Sequence, residues 1–173
     1  MGSLAGWTFC PRCRTELELD EGRVNCPSCG FVAYANPEPT ACAVCVDGDG
    51  RILLGRRAGE IFHGYWDLPG GFVQEGEHPL DALRREFREE TGLSVEPRDF
   101  LGVWMDRYGD GDDAPSTLNL YWTAEIAGGT VDPQAADDVS ELQWFRESEL
   151  PARDQLAFHI ADVLDAYRSR TAR

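Results

Sequence analysis

The sequence predicts an α/β domain over residues 36–173, preceded by a small ribbon over residues 1–35. Three observations support this prediction: two C-x-x-C pairs lie near the start, several short apolar runs have strand character, and two later segments carry apolar residues at helical spacing. A chain of 173 residues with 42% hydrophobic content suits one main core with a modest appendage.

The ribbon carries four of the six cysteines, in the sequences CPRC and CPSC. The polar stretch between them, RTELELDEGRVN, can turn back as a hairpin and present all four sulfurs to one tetrahedral metal ion. Four thiolates favour Zn²⁺, and a segment with so few core residues needs a bound metal ion to fold. Two disulfides or a redox pair are the alternatives, which a reducing compartment disfavours. We therefore expect a structural zinc site formed by Cys10, Cys13, Cys26 and Cys29.

The other two cysteines, Cys42 and Cys45, lie in TACAVCV, a run typical of a strand buried on both faces. Residues three apart on a strand point to opposite sides, so the two thiols cannot share a metal ion. We expect both to be core residues.

The remaining segments predict the elements of the main domain in order. YANPEPT predicts an extended linker, and ACAVCV and RILLGRR flank the hairpin turn DGDG. YWDLPGGFV predicts a short strand broken by a turn. After a first helix, LSVEPRDFLGVWMDRY, TLNLYWTAEI and ELQWF predict strands, with GDGDDAPS as a surface loop. DQLAFHIADVLDAYRSR predicts a closing amphipathic helix with an apolar stripe at Leu156, Ile160, Val163 and Tyr167.

The first helix is predicted from about residue 79 to Thr91. Pro79 suits a first helical turn, Gly92 suits a helix stop, and Leu80, Leu83 and Phe87 form one apolar stripe.

Three acids of this helix, Glu86, Glu89 and Glu90, have the spacing i, i+3 and i+4, which places them beside the apolar stripe. Like charges so close repel one another, and a divalent cation resolves the conflict. Oxygen ligands suit Mg²⁺ or Mn²⁺ completed by substrate phosphates, with the carbonyl of Gly70 in the PGG turn as a further ligand. A solvated acidic face is the alternative.

Composition limits the partners. A formal charge of −15 repels nucleic acid and anionic membrane surfaces, so no nucleic-acid partner and no membrane is expected. No apolar stretch reaches the roughly 20 residues of a membrane span, and MGSLAGWTFCPRC does not have the pattern of a secretion signal. A cytoplasmic protein is the expectation.

The helix and its flanks match the pattern G-x5-E-x7-R-E-U-x-E-E-x-G-U, where U is an aliphatic or aromatic residue. The nine matching positions are Gly71, Glu77, Arg85, Glu86, Phe87, Glu89, Glu90, Gly92 and Leu93. The sequence thus resembles the Nudix hydrolases, some of which carry an N-terminal zinc ribbon. The resemblance implies an α/β/α sandwich with a mixed sheet, and hydrolysis of a nucleoside diphosphate linked to another moiety.

The mechanism that the resemblance implies is attack of an activated water on phosphorus, with cations bridging the diphosphate. It assigns the metals to Glu86, Glu89 and Glu90, one of which can be the base. In other relatives the base comes from a later loop, where Glu141, Asp137 and Asp138 are the candidates. An ion pair between Arg85 and Glu77 is expected to hold the loop against the helix, with Gly71 and Gly92 as further structural supports.

Substrate contacts are less specific. Arg56 or Arg57, at the end of RILLGRR, can grip a phosphate, although surface charge explains them equally well. Trp104, Tyr108, Tyr121 and Trp122 can stack a purine, although strand aromatics are more often core residues.

The resemblance favours ADP-ribose or FAD as the substrate. The ribbon and the segments YANP and LAF are similar to those of the family members that hydrolyse these compounds. NADH is disfavoured, since the segment SQPWPFP of the NADH pyrophosphatases is not found after the nine-position motif at residues 71–93, which we call the box. NADH, diadenosine polyphosphates and nucleoside triphosphates remain alternatives. A ligand-sensing module would typically lack box carboxylates, and an isomerase would need a reactive cysteine, for which Cys42 is poorly placed. Family relatives are often dimers, which favours a homodimer.

Overall fold

The computed structural model describes residues 4, 6–109, 114–127 and 133–171. The chain divides into two compact units, Met1–Glu38 with Arg107–Thr117, and Pro39–Asp106 with Leu118–Arg173. The domain boundary predicted at residue 36 remains a proposal, because the first unit also takes in a later segment. Residues 110–113 of the predicted loop GDGDDAPS lie outside the described residues. None of the described helices is long and apolar enough to cross a membrane.

The first unit holds a three-stranded antiparallel sheet: β1 (Glu18–Asp20), β2 (Arg23–Asn25) and β3 (Val32–Tyr34). The β1–β2 hairpin lies within the predicted RTELELDEGRVN segment, whereas β3 was not predicted. The core here is small and includes two of the cysteines; its buried members are Leu4, Cys10, Leu17, Val24 and Cys26. So few apolar side chains stabilise a fold poorly by themselves.

The larger sheet has seven strands in the order β10-β5-β4-β9-β8, with β6 paired to β5 and β7 paired to β4. Its strands are β4 (Glu38–Val46), β5 (Ile52–Arg57), β6 (Trp66–Asp67), β7 (Gly70–Phe72), β8 (Val95–Arg107), β9 (Ser116–Ile126) and β10 (Val139–Phe145). The predicted hairpin at DGDG is confirmed by the antiparallel pairing of Val46 with Ile52. The sheet is mixed, as the resemblance implies.

The two faces of the sheet pack against different helices, α1 (Pro79–Thr91) and α2 (Ile160–Thr171). Along β4, Cys42 contributes to the apolar cluster that contains α2 residues, and Cys45 contributes to the cluster that contains α1 residues. This alternation confirms that the two thiols are core residues on opposite faces. The result is the predicted α/β/α sandwich.

Local sequence accounts for both ends of α1. The ring of His78 accepts the N–H of Leu80, and Pro79 occupies the first turn. Gly92 ends the helix with φ 70°, and its N–H donates to the carbonyl of Arg88 at 3.1 Å. The predicted bounds of this helix are confirmed.

The predicted start of the closing helix is wrong. The helix begins at Ile160, because Leu156 instead forms a parallel bridge with Trp66, and Phe158 has φ 46°, which no α-helix accommodates. Leu156 is still buried in the core. The apolar pattern therefore predicts its burial correctly, whereas the helical backbone predicted at this residue is wrong.

The linker was also predicted too long. β4 begins at Glu38, and Thr40 pairs with Phe72. The N–H of Val73 donates to the carbonyl of Pro39, so the proline lies within a paired strand segment and not in free linker.

Candidate active site

The turn that leads into β7 meets the last turn of α1. Glu90 is 6% exposed, and its carboxylate accepts the N–H of Gly70 at 2.9 Å. Burial raises the pKa of Glu90 well above its usual value, and the nearby acids Asp138, Glu86 and Asp67 raise it further. A buried carboxylate in this position is stable only when it holds a proton or faces a cation.

Gly71 makes room for a second carboxylate of α1. A Cβ at this position would lie 2.6 Å from the carboxyl carbon of Glu86, closer than real side chains approach. Burial raises the pKa of Glu86, and the adjacent Arg85 opposes that shift. Glycine is therefore required if the Glu86 carboxylate is to occupy this place.

Arg85 connects the loop before α1 to two acids of the helix. Its guanidinium binds Glu77 in a bidentate fashion, with both N···O distances 2.9 Å, and it also contacts Glu86 at 2.6 Å and Glu89 at 3.0 Å. Hydrogen bonds from Arg85 lower the pKa of Glu77 to about 2. The expected ion pair with Glu77 is present, whereas the contacts with Glu86 and Glu89 were missed. The i, i+4 spacing of Arg85 and Glu89 could have predicted one of them.

The three helix acids do not form one tight cluster. Among the described residues, the cysteines are the only set of three or more potential metal ligands whose donor atoms all lie within 4.8 Å of one another. Arg85 holds Glu86 and the half-exposed Glu89, and Glu90 turns towards Gly70. The Arg85 guanidinium thus neutralises part of the negative charge of these acids, which the sequence predicted to be neutralised by a cation alone.

A small cavity of about 20 Å³ lies beside Glu90. Its lining residues include Glu90, Asp67, Asp138, Arg57 and Gly70. The volume suits one water molecule or one ion, since a water needs roughly 10–15 Å³ of such space. Carboxylate and carbonyl oxygens are also the donors that hard divalent cations prefer, so these residues fit a metal of the Mg²⁺ class.

The two arginines at the end of β5 have different surroundings. Arg57 is nearly buried and pairs with Asp67 at 2.8 Å in the cavity lining. Arg56 is half-exposed and pairs with Glu141 at 3.2 Å. Burial is the main reason that the pKa of Asp67 is raised, with Arg57 opposing the shift.

Two of the candidate acids of the later loop differ in position. Asp138 lines the cavity, whereas the Glu141 carboxylate lies with Arg56 outside the lining. The pairing of β10 with β5 shifts register between Val139 and Glu141, so the position of these acids cannot be obtained by simple alternation along the strand.

The aromatic candidates are mostly structural. Tyr121 is buried, and its hydroxyl lies 3.1 Å from Nε2 of His159, whose Nδ1 lies 3.0 Å from Asp106. Trp104 stacks parallel to the His159 ring at 6.1 Å. Trp122 packs on the core beside α1. This Asp106–His159–Tyr121 chain was not predicted, because residues so far apart in sequence meet only through the fold.

Tyr108 belongs to the first unit, and its role in substrate binding stays a prediction.

The four cysteines of the first unit are free thiols and lie close together. The Cys10 and Cys29 sulfurs are 3.6 Å apart, and those of Cys13 and Cys26 are 3.4 Å apart. All four sulfurs lie within 4.8 Å of one another, so one metal ion could be held among them.

Comparison with known proteins identifies the family. The NUDIX domain is matched over residues 36–167. The chain belongs to the Nudix family. This confirms the resemblance and, at the level of the family, the predicted class of Nudix pyrophosphohydrolases.

Two relatives and one solved structure illustrate the similarity. The chain is 32% identical to an NAD-capped RNA hydrolase NudC of Pseudomonas aeruginosa over 169 residues, 95% of this chain and 58% of that protein. It is 36% identical to an ADP-ribose pyrophosphatase of Methanocaldococcus jannaschii over 129 residues, 72% of each. A crystal structure of a NUDIX hydrolase from Nitrosomonas europaea superposes with a TM-score of 0.71 and 28% identity, covering 91% of this chain and 88% of that one. The chain therefore spans little more than half the length of the NudC relative.

Proposed function

We propose that this Nudix protein hydrolyses the diphosphate bond of a nucleoside diphosphate linked to another moiety, with ADP-ribose as the substrate and Mg²⁺ or Mn²⁺ as the cofactor. The observation that carries the proposal is the cavity beside Glu90, where buried carboxylates with raised pKa values face a turn whose backbone comes close. The ionised form of such buried carboxylates would be stabilised by a cation that also binds a phosphate of the substrate.

Glu86, Glu89, Glu90 and the carbonyl of Gly70 are the proposed metal ligands. Divalent cations, when bound, acidify water and neutralise charge on phosphate oxygens. Glu90 must lose its proton to act as a ligand, which its raised pKa opposes at low pH. Arg85 must release Glu86 and Glu89 at least in part, while its bidentate bond to Glu77 keeps it in place.

Asp138 is the preferred general base of the later loop, because it lines the cavity and Glu141 does not. A box glutamate and Glu141 remain alternatives. Replacement of Asp138 by Asn distinguishes these assignments: turnover should fall strongly if Asp138 is the base, and should stay close to that of the unsubstituted protein if Glu141 or a box glutamate is the base.

Nicotinamide dinucleotides are a second candidate substrate class. Similarity to the NudC relative extends over 95% of this chain, whereas similarity to the ADP-ribose pyrophosphatase covers 72%. That relative is an NAD-capped RNA hydrolase, which weakens the expectation that nucleic acid is excluded as a partner. The charge of −15 still opposes an RNA chain, so the free dinucleotide is the form that we include.

The first unit is proposed to hold a structural Zn²⁺ on Cys10, Cys13, Cys26 and Cys29. Four thiol donors in mutual contact support a closed tetrahedral site. The ribbon at 1–35, the hydrolase domain at 36–173 and a homodimer also remain proposals.

A substrate panel tests the function. Purified protein with Mg²⁺ or Mn²⁺ should release AMP from ADP-ribose, and it is compared on FAD, NADH, diadenosine polyphosphates and nucleoside triphosphates by product identification. Glu86→Gln should lower turnover on the order of a hundred-fold, because one ligand is lost. Glu60→Gln, an exposed acid outside the site, is the matched control. Turnover that Glu86→Gln does not change would refute the assignment of the metal site.

A further inference from the structure

Two aromatic residues near the cavity have an uncommon backbone conformation. Phe62 has φ 54° and Phe158 has φ 46°, in the left-handed region that bulky side chains rarely adopt. Their rings contact each other, with centroids 4.6 Å apart. Strain of this kind persists only where the surroundings impose it, and it occurs preferentially at ligand sites.

A third ring extends this surface. Tyr65 meets Phe62 edge to face at a centroid distance of 5.3 Å. Phe62 is 39% exposed and Tyr65 is 38% exposed, so neither ring is absorbed by the core. We call Phe62, Tyr65 and Phe158 the aromatic platform.

Arg57 joins the aromatic platform to the cavity. Its guanidinium carbon lies 5.1 Å from the centroid of the Phe158 ring, and Nη1 lies 2.8 Å from the cavity residue Asp67. Nε donates to the carbonyl of Ile61 at 2.8 Å, which fixes the loop that carries Phe62. One side chain therefore connects the acidic cavity with the aromatic surface.

Both segments of the platform are held to the sheet. The N–H of Arg57 donates to the carbonyl of Tyr65, and the N–H of Gly64 donates to the carbonyl of Arg57. The N–H of Ala157 donates to the carbonyl of Trp66, immediately before Phe158. The rings are thus presented by backbone with defined hydrogen bonds, as binding of a rigid flat group requires.

The size of the cavity shows what the platform could contact. A space of about 20 Å³ accepts an ion or a water molecule, so the rest of a nucleotide must lie outside it. The cavity is lined by the acids Asp67, Glu90 and Asp138, whereas the rings of the platform are uncharged, with Phe158 tilted by 54° against Phe62. A neutral planar base suits such a surface, because every nucleobase offers a face for stacking.

We propose that the aromatic platform binds the nucleobase of the substrate by stacking on Phe62, with Tyr65 edge-on to that ring and Phe158 packed against it beneath Arg57. The inference rests on the proposed function and deepens it. It makes these residues determinants of specificity for nucleoside diphosphates over diphosphates without a base.

The first test separates stacking from packing. Phe62→Gly removes the ring and also relieves the left-handed backbone. The KM for ADP-ribose should rise roughly 5- to 100-fold while kcat changes little and the unfolding temperature stays the same or increases. Phe62→Tyr keeps an aromatic ring and should leave the KM close to that of the unsubstituted protein. Tyr65→Leu should raise the KM less than Phe62→Gly does. Phe100→Leu changes an exposed ring that packs on Trp122 and is the control. An unchanged KM, or a lowered unfolding temperature with wild-type KM, would overturn the proposal.

The second test does not depend on turnover. Titration calorimetry without added metal should show that AMP binds more tightly than ribose 5-phosphate, and that Phe62→Gly abolishes the difference. Equal binding of the two ligands to the unsubstituted protein would refute the platform. If the protein hydrolyses no diphosphate at all, the proposed function fails while this binding experiment still decides the role of the rings.

Discussion

The two candidate metal sites differ in how complete they are without a metal. In the first unit, four thiols already lie within 4.8 Å of one another. In the second unit, two of the three helix acids bind Arg85, and the third binds a backbone N–H. The cysteine site resembles a closed structural centre, and the carboxylate site resembles one that substrate completes.

This difference reflects what each region needs for folding. The first unit has a small core, so its ligands must converge for the ribbon to be stable. The second unit has two apolar clusters, one on each face of the sheet, and its fold does not depend on an ion. At the proposed metal site, Arg85 would hold Glu86 and Glu89 on its guanidinium until an ion and a substrate arrive.

Loss of one thiol should have the largest effect. Cys10→Ser should abolish stoichiometric zinc and remove amide protection in the ribbon, since structural zinc supplies on the order of 10 kcal/mol in isolated fingers. Protection in the second unit should persist, because its core is separate. Metal analysis and hydrogen exchange measure both effects.

Cys45→Ala is the matched control, because Cys45 is a buried thiol of the second unit. It should leave the zinc content unchanged. A Cys10→Ser protein that retained one zinc and a protected ribbon would show that the site is not closed in the way the sulfur positions indicate.

Replacement of the buried acid should separate activity from stability. Glu90→Gln should lower metal-dependent turnover about 10²- to 10³-fold, because a ligand is lost. It should also stabilise the protein in the absence of Mg²⁺ and Mn²⁺ at neutral pH, because a buried charge is removed.

The pH dependence follows from the direction of the shift. The folded-state pKa of Glu90 is raised, so its stabilising contribution is complete below the unfolded value of about 4.5 and is lost as the pH rises through the folded value. Glu86 and Asp67 shift in the same direction. Thermal unfolding from pH 5 to 9, without chelator so that an ion held by the four cysteines would stay bound, should show a smaller decline in unfolding temperature for Glu90→Gln than for the unsubstituted protein. Identical curves would contradict the burial argument.

A smaller effect should follow from crowding Glu86. Gly71→Ala introduces a Cβ 2.6 Å from the carboxyl carbon, so the side chain must move and turnover should fall roughly 10- to 100-fold. Gly59→Ala adds a Cβ with no atom within 4 Å and should be neutral. Steady-state kinetics over a range of Mg²⁺ concentrations compares the two, and equal activity would show that the position of Glu86 does not matter.

Local signals account for what the sequence predicted well. Pro79 and Gly92 determine the ends of α1 through their own backbone preferences, and alternation along β4 places Cys42 and Cys45 on opposite faces. The bridge between Leu156 and Trp66 depends on contacts distant in sequence. No periodicity could have revealed that it delays the start of α2.

The site shows the same division. The box residues and the pair of Arg85 with Glu77 could be predicted from the motif, because their positions on one helix and its adjacent loop are fixed by spacing. The choice between Asp138 and Glu141 could not, since it depends on the register of β10 against β5. Phe62 and Phe158 are not predicted as ligand contacts, because Phe62 lies in a segment without strand or helix periodicity and Phe158 lies in the predicted closing helix, outside its apolar stripe.

At the proposed metal site, Arg85 would take the place of the cation when none is bound. At a low magnesium concentration the protein would then lose its activity without unfolding, and the activity would return when magnesium is added. Because the guanidinium remains tethered to Glu77 throughout, it would be ready to reoccupy its place after each departure.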